Sequence, residues 1–243
     1  MSDIHANFPA LVAALEEAER ANAAQVVFAG DLVGRGPNPV EVLRLIRGRG
    51  YPVIRGNVER KLVARVDSAD GKDAVASRKK NLGWTAACLG PAEWEFLRSL
   101  PEELSLEIAG RRVRVVHGSP CSDEDYIFPS ITARALADKL KGDRPDVLVC
   151  GHSHLPFTRT IGGVRVINCG SLGSPYDGDA RGSFCLAEFG VRHPVKSRIV
   201  RFEYPVARVV EDLLERHVPG TDPRTYMLGV RDIRRSMQKE FSE

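Results

Sequence analysis

Seven side chains of the types that bind divalent metals stand at the ends of apolar runs: Asp3, His5, Asp31, Asn57, His117, His152 and His154. A D-x-H pair opens the set and an H-x-H pair closes it. No thiolate is among them, so the carboxylate, imidazole and amide donors suit Mn²⁺, Fe, Zn²⁺, Co²⁺ or Ni²⁺, and seven ligands exceed what one four-coordinate ion takes. Two divalent ions are therefore expected. Asp31 lies between the two ligand groups in sequence and is placed to give one carboxylate oxygen to each ion. Water held between two such ions is deprotonated near neutral pH and can attack phosphorus in line, while the cations neutralise the phosphate oxygens. Taken singly, each motif is weak: D-x-H is commonplace, neighbouring histidines after a strand also serve as turn residues, and Asn57 after Gly56 is an ordinary turn pair. Convergence carries the reading, because four of the six histidines fall in these loops.

The elements that must position these groups follow from the apolar pattern. Residues 26–28 (Val, Val, Phe) favour a strand that delivers Asp31 to a glycine-rich loop containing Gly34, Gly36 and Pro37. Asn7 caps a helix with Pro9 in its first turn, and Asn38-Pro39 opens another that Gly48 and Gly50 close. Residues 51–55 read as a strand running into Gly56-Asn57, with a helix over 61–66. Helices are expected over 77–89, 91–100 and 132–140, and strands over 104–109, 112–116 and 147–150, the last two ending in His117 and in His152 and His154. Residues 157–161 and 164–168 form a hairpin across Gly162-Gly163, strands follow at 183–189 and 196–202, and 206–218 is amphipathic and helical. Residues 67–73 are the expected mobile loop, and 224–239 form a basic segment at the periphery. Alternating strand and helix early, with hairpins late, imply a mixed α/β assembly flanked by helices. One domain over 1–243 is expected, with a peripheral C-terminal extension from about 206.

Bulk properties are those of an ordinary globular chain. The 243 residues are 43% hydrophobic and 28% charged, with a net charge of +3 that suits anionic substrates without requiring nucleic acid. Five cysteines without a CxxC pattern read as reduced thiols in a cytoplasmic protein, and no apolar run is long enough to span a bilayer. Repeats are absent.

In Asp3-Ile4-His5, Gly30-Asp31, Gly56-Asn57-Val58-Glu59, His117-Gly118 and Gly151-His152-Ser153-His154 the chain resembles the calcineurin-like metallophosphoesterases, specifically their bacterial phosphodiesterase-like members. Weaker similarity continues through residues 168–173 to about Leu214. The resemblance implies a two-sheet sandwich flanked by helices in four αββα layers. It also implies that Asp3, His5, Asp31 and His154 hold one metal, with manganese the first choice, and that Asp31, Asn57, His117 and His152 hold the other. Two departures stand out. The family's histidine in the third block is Val58 here, which cannot donate a proton, and that favours phosphodiesters over monoesters of poor leaving groups. The strand that precedes D-x-H in the family is missing, either because the recorded start is internal to the reading frame or because the fold tolerates a gap. Looser Asp3 and His5, and weaker binding at their metal, are expected from it.

Other polar groups are less pointed. Arg35, Arg55 and Arg60 flank the ligand loops; Arg35 and Arg60 are the candidate phosphate contacts, against the plainer reading of surface arginines. Ser119 lacks a free base and reads as a turn residue, His193 and His217 read as structural, and Cys150 and Cys169 as small packing groups. Arg224, Arg231, Arg234 and Arg235 form a solvated face, also suited to nucleic-acid contact. The leading expectation is a dinuclear phosphoesterase in which Asn57 also orients the substrate. Its alternatives are a non-catalytic scaffold of the same fold, such as the phosphoesterase-like subunit of retromer, and a protein Ser/Thr phosphatase-like monoesterase.

Overall fold

A computed structural model describes residues 1–68 and 80–229. Most of the loop expected at 67–73, the start of the helix expected at 77–89, and the basic segment beyond 229 with Arg231, Arg234 and Arg235 lie outside the described residues.

A five-stranded mixed sheet is assembled from β1 (Leu104–Ile108), β2 (Arg111–Val115), β3 (Val147–Cys150), β4 (Phe157–Ile161) and β5 (Val164–Asn168), in the order β1-β2-β3-β5-β4. Its centre is parallel, β2 with β3 and β3 with β5, and antiparallel hairpin partners close both edges. Strand β3 is apolar throughout because both of its faces are covered: Val147 joins one core, while Leu148 and Cys150 join another. The second sheet contains β6 (Gly182–Glu188) antiparallel to β7 (Lys196–Phe202). It continues as short extended segments linked by Ser183 N to Ser171 O at 2.9 Å, Leu172 N to Ser2 O at 3.0 Å, Asp3 N to Gly30 O at 3.0 Å and Ile54 N to Phe28 O at 3.0 Å.

The strands expected at 26–28 and 51–55 are therefore not regular strands. They meet at a single parallel bridge, Phe28 with Val53. Pro52 has no N–H to give a ladder, and the backbone turns left-handed at Gly30 (φ 87°) and Asp31 (φ 53°) directly after the bridge. The N-terminal residues pair beside them, with the amino group of Met1 donating to Val27 O at 2.9 Å.

Helices α1 (Phe8–Arg20), α2 (Pro39–Arg49), α3 (Asn57–Asp67), α4 (Asn81–Cys88), α5 (Pro91–Ser99), α6 (Ala133–Leu140), α7 (Val206–Glu215) and α8 (Arg224–Leu228) complete the described elements. Asn7 Oδ1 accepts the Ala10 N–H at 3.1 Å to cap α1, and Thr132 Oγ1 accepts from Ala135 at 3.2 Å to cap α6. Helix α3 begins at Asn57 rather than near 61, because Glu59 accepts the Gly56 N–H at 2.9 Å and closes the first turn.

Three apolar cores separate four layers. Phe28, Leu11, Leu43, Leu62 and Leu97 lie in the core between the helices and the second sheet. Ala29, Ile54, Val113, Val147 and Ile167 fill the space between the sheets, and Leu136, Leu148 and Val166 seal α6 against the outer face. The architecture is αββα, as a two-sheet sandwich of this kind requires. Helix α7 belongs to it: Val209 and Leu213 enter the large core, and Tyr226 of α8 is fully buried. Up to Gly229 the C-terminal portion is part of the helical layer rather than an appendage.

Candidate metal centre

The seven candidate ligands meet where the second sheet's segments and the ends of β2 and β3 come together. Five of them turn the chain left-handed: Asp3 (φ 54°), His5 (φ 50°), Asp31 (φ 53°), His152 (φ 64°) and His154 (φ 57°). A non-glycine residue there costs roughly 1–2 kcal/mol, and such strain persists only where surrounding bonds hold it. Here they do. His5 N donates to Asp31 O at 3.0 Å, Gly151 N to His117 O at 2.8 Å, and His152 N to Asp3 Oδ2 at 2.9 Å.

Two trios result, Asp3 with His5 and His154, and Asp31 with His117 and His152, each with its ligating atoms within 4.8 Å of one another. In the first, His154 Nε2 lies 3.1 Å and His5 Nε2 lies 3.7 Å from Asp3 Oδ1, with the two imidazole nitrogens 3.2 Å apart. In the second, His117 Nε2 is 3.4 Å from Asp31 Oδ1 and 3.1 Å from the Asn57 amide oxygen. Asp31 touches both groups, its Oδ2 being 3.6 Å from His5 Nε2. Asp3 and His5 are fully buried and held by these contacts, which is not the looser pair expected from the missing strand.

The outward ring nitrogens explain what the inward ones can do. His5 Nδ1 faces Val33 O at 3.3 Å, His117 Nδ1 faces Ala29 O at 2.7 Å, and His154 Nδ1 faces Ser174 O. Each carbonyl selects the Nδ1–H tautomer and turns an Nε2 lone pair inward, toward other lone pairs. Asp3 Oδ1 and His152 Nε2 are buried without a hydrogen-bond donor, one in each trio. A cation in each trio would satisfy these atoms at once, so the donor set fits two divalent ions.

Charge follows the same geometry. Burial alone would raise the carboxyls of Asp3 and Asp31, yet His154 beside Asp3 and His117 beside Asp31 hold both far below the ordinary carboxylate range. Without a cation, burial opposes a charge on His117 but the Asp31 carboxylate overrides it and carries the imidazole up to about 10, so a cation in that trio would take the place of the Nε2 proton. Burial and then His117 push His152 down to about 4, and burial and then Arg35 push His5 well down.

Residues 1–190 match the family model of the calcineurin-like phosphoesterase superfamily domain. The chain belongs to this superfamily. It is 28% identical over 238 residues to an uncharacterized protein of Methanocaldococcus jannaschii, covering 90% of this chain and 92% of that one. Its fold is similar to a crystal structure of a metallophosphoesterase from Sphaerobacter thermophilus, with a TM-score of 0.79, 28% identity, and coverage of 95% of this chain and 97% of the other. A hypothetical protein of Pyrococcus horikoshii OT3 is similar at a TM-score of 0.79 and 25% identity, over 90% and 93% of the two chains. The family's chemistry is metal-dependent hydrolysis of phosphate esters, and the trios are this phosphoesterase's candidate metal groups.

Around these groups the phosphoesterase has features the sequence did not reveal. Tyr176 stacks face to face on His154 at 4.1 Å, with the Arg35 guanidinium 5.2 Å over its ring, and Tyr126 stacks on His152 at 4.5 Å. Both tyrosines sit in irregular loops, where no periodicity marks them. Arg60 is engaged elsewhere: it grips Asp123 through two nitrogens, at 2.6 and 3.1 Å, and Glu124 at 2.6 Å, so the surface-arginine reading describes its contacts. Val58 packs into the large core. Ser119 donates to Asp125, in keeping with a turn role. A cavity of about 210 Å³ adjoins His117, lined also by Arg55, Arg60 and Asp123.

Glu59 holds the scaffold. Its Oε2 accepts from the N–H groups of Asp31 and Gly56, both at 2.9 Å, and its Oε1 from Val33 at 3.1 Å. Burial, then the neighbouring Asp31 carboxylate, raises it to about 7. Glu59→Gln would turn an NH₂ group toward one of these three donors. We expect it to cost about 1–3 kcal/mol, read as a lower denaturant midpoint. An unmoved midpoint would show that the three bonds do not brace the Asp31 loop.

Proposed function

We propose that this phosphoesterase is dinuclear and acts preferentially on phosphodiesters. The observation that carries the reading is the pair of trios, buried except for the half-buried His152, in contact with one carboxylate, Asp31, beside a Val58 that offers no proton. Asp3, His5, Asp31 and His154 would hold one divalent ion and Asp31, Asn57, His117 and His152 the other, with Mn²⁺ the first choice and Fe, Zn²⁺, Ni²⁺ or Co²⁺ compatible with the same donors. When bound, the ions supply Lewis-acid charge for the phosphate oxygens and lower the pKa of the attacking water. The chain's own part is to fix geometry. Carbonyls at Val33, Ala29 and Ser174 set the imidazole tautomers, and the left-handed turns keep the ligands in place. Arg35, held over Tyr176, carries a guanidinium suited to bidentate contact with a phosphate, and Arg60 is held by Asp123. With Val58 in the core, a leaving alkoxide departs without a proton from that position, so substrates with good leaving groups are favoured. Five free thiols fit a cytoplasmic setting, and no helix among the described residues is long and apolar enough to cross a membrane.

The test uses an aryl phosphodiester and the phosphomonoester of the same phenol, on protein of measured metal content. Diester turnover should exceed monoester turnover by about a hundredfold or more in kcat/KM, vanish on chelation and return with Mn²⁺. Equal rates would overturn the diester preference. Two bound ions without turnover of either ester would favour the scaffold alternative.

A further inference from the structure

Asn57 and Lys61 are one turn apart on α3 and share a face of the helix. Between them the Asn57 amide has two ways to lie. With His117 in the Nδ1–H tautomer that the Ala29 carbonyl selects, the inward oxygen faces only acceptors, the Asp31 carboxylate and His117 Nε2, and the NH₂ group turns toward the Lys61 ammonium, donor against donor. With its oxygen outward, the amide nitrogen donates to Asp31 Oδ2 at 3.1 Å and to His117 Nε2 at 3.1 Å, and the oxygen accepts from Lys61 Nζ at 3.2 Å. One oxygen thus has two competing claimants, Lys61 on one side and a cation in the Asp31 trio on the other. Whichever holds it leaves the other needing a partner.

Lys61 has a second contact, Glu124 Oε1 at 3.0 Å, and the two side chains are 44% and 49% exposed. A pair as exposed as this is weakly held. Glu124 is shared with Arg60, which Asp123 already grips through two nitrogens. Val58, the next residue after Asn57, is buried in the large core and offers the substrate nothing. Of the side chains on the Asn57 face of α3, Lys61 is the cation that reaches the candidate ligands.

We propose that Lys61 is the cationic contact for the substrate's phosphate on the Asn57 side of the site, presented to it when the Asn57 oxygen turns inward to a bound metal ion. This rests on the two-ion reading above. Lys61 acts by its charge on a phosphate oxygen, and metal loading and phosphate capture are coupled through one amide group.

The experiment titrates inorganic phosphate into the Mn²⁺-loaded full chain by calorimetry, for the wild type, Lys61→Met and Lys61→Arg. Phosphate affinity should fall about tenfold in Lys61→Met and stay within about threefold of wild type in Lys61→Arg. Manganese content should be unchanged in both variants, and Mn²⁺ affinity in Lys61→Met equal or higher, since the competitor for the Asn57 oxygen is gone. Unchanged phosphate affinity in Lys61→Met overturns the inference and leaves the two-ion reading standing. Loss of manganese from Lys61→Met also overturns it, because Lys61 would then be supporting the ligands. If the wild type takes up no metal, the two-ion reading fails and this inference with it, a result separable from the other two by metal content alone.

Discussion

Asp31→Asn should lower metal-stimulated phosphoester turnover by about three orders of magnitude or more while the chain still folds. Both halves of that expectation come from the position of one side chain. Asp31 reaches both trios, Oδ1 toward His117 at 3.4 Å and Oδ2 toward His5 at 3.6 Å, so losing its charge weakens both candidate ion sites together. An amide would also turn an NH₂ group toward one of the two imidazoles. The backbone, by contrast, should accept the change. Asp31 lies at φ 53°, and asparagine is among the few side chains that tolerate the left-handed region well. Its Oδ1 also accepts the Val58 N–H at 3.0 Å, a bond that an amide oxygen in that position can keep. The measurement is the rate with added Mn²⁺ beside metal content and a thermal melt. A wild-type rate in a variant that melts normally would remove Asp31 from the chemistry.

Gly56→Ala should be strongly damaging, because the added methyl collides with Asp31 itself. A Cβ at Gly56 would lie 2.2 Å from Asp31 Oδ1 and 2.4 Å from the Asp31 backbone nitrogen, and the second of these cannot move without dragging the loop. Gly30 approaches from the opposite side, where an added Cβ would meet Gly56 N at 2.6 Å, so the two glycines mark a place where segments 28–31 and 53–57 pass almost in contact. We expect a loss of about 3 kcal/mol, which for a chain of this size lowers the melting temperature by roughly 6–12 °C. Bound metal should fall with it, because the same collision displaces Asp31. Gly48→Ala is the built-in contrast: Gly48 lies in α2 with nothing within 4 Å of an added Cβ, and that change should stabilise by about 0.5 kcal/mol. If both variants melt alike, the close approach is not what requires glycine at 56.

Much of the fold was legible because its strands are local patterns. Strands β3, β4, β5 and β7 have the bounds that apolar runs and the Gly162-Gly163 turn set for them. Where the reading failed, the cause was tertiary. Residues 26–28 and 51–55 have strand composition, but the left-handed turn at Gly30-Asp31 and the missing N–H of Pro52 leave them one bridge. Helix α3 starts four residues early because Glu59 caps it, and a glutamate at that spacing was visible in the sequence without its role. Tyr126 and Tyr176 had no signal at all, since a stacking contact made across loops leaves no mark on spacing.

The sequence by itself determined which side chains could serve as ligands, because residue type and position at the end of an apolar run are local properties. It also determined the layered α/β class, since the periodicity of buried residues is written along the chain. Residue types and spacing leave open how those side chains divide; the family resemblance implies a division, and tertiary structure is what makes it. His152 and His154 are two residues apart, yet left-handed backbone at both sends one to Asp31 and His117 and the other to Asp3 and His5. Tertiary contact likewise engaged Arg60 with Asp123 and Glu124, set Arg35 over Tyr176, and stood Lys61 against the amide of Asn57. Charges and lone pairs act through space over a few ångströms, and which groups come that close is fixed by packing between segments far apart in the chain.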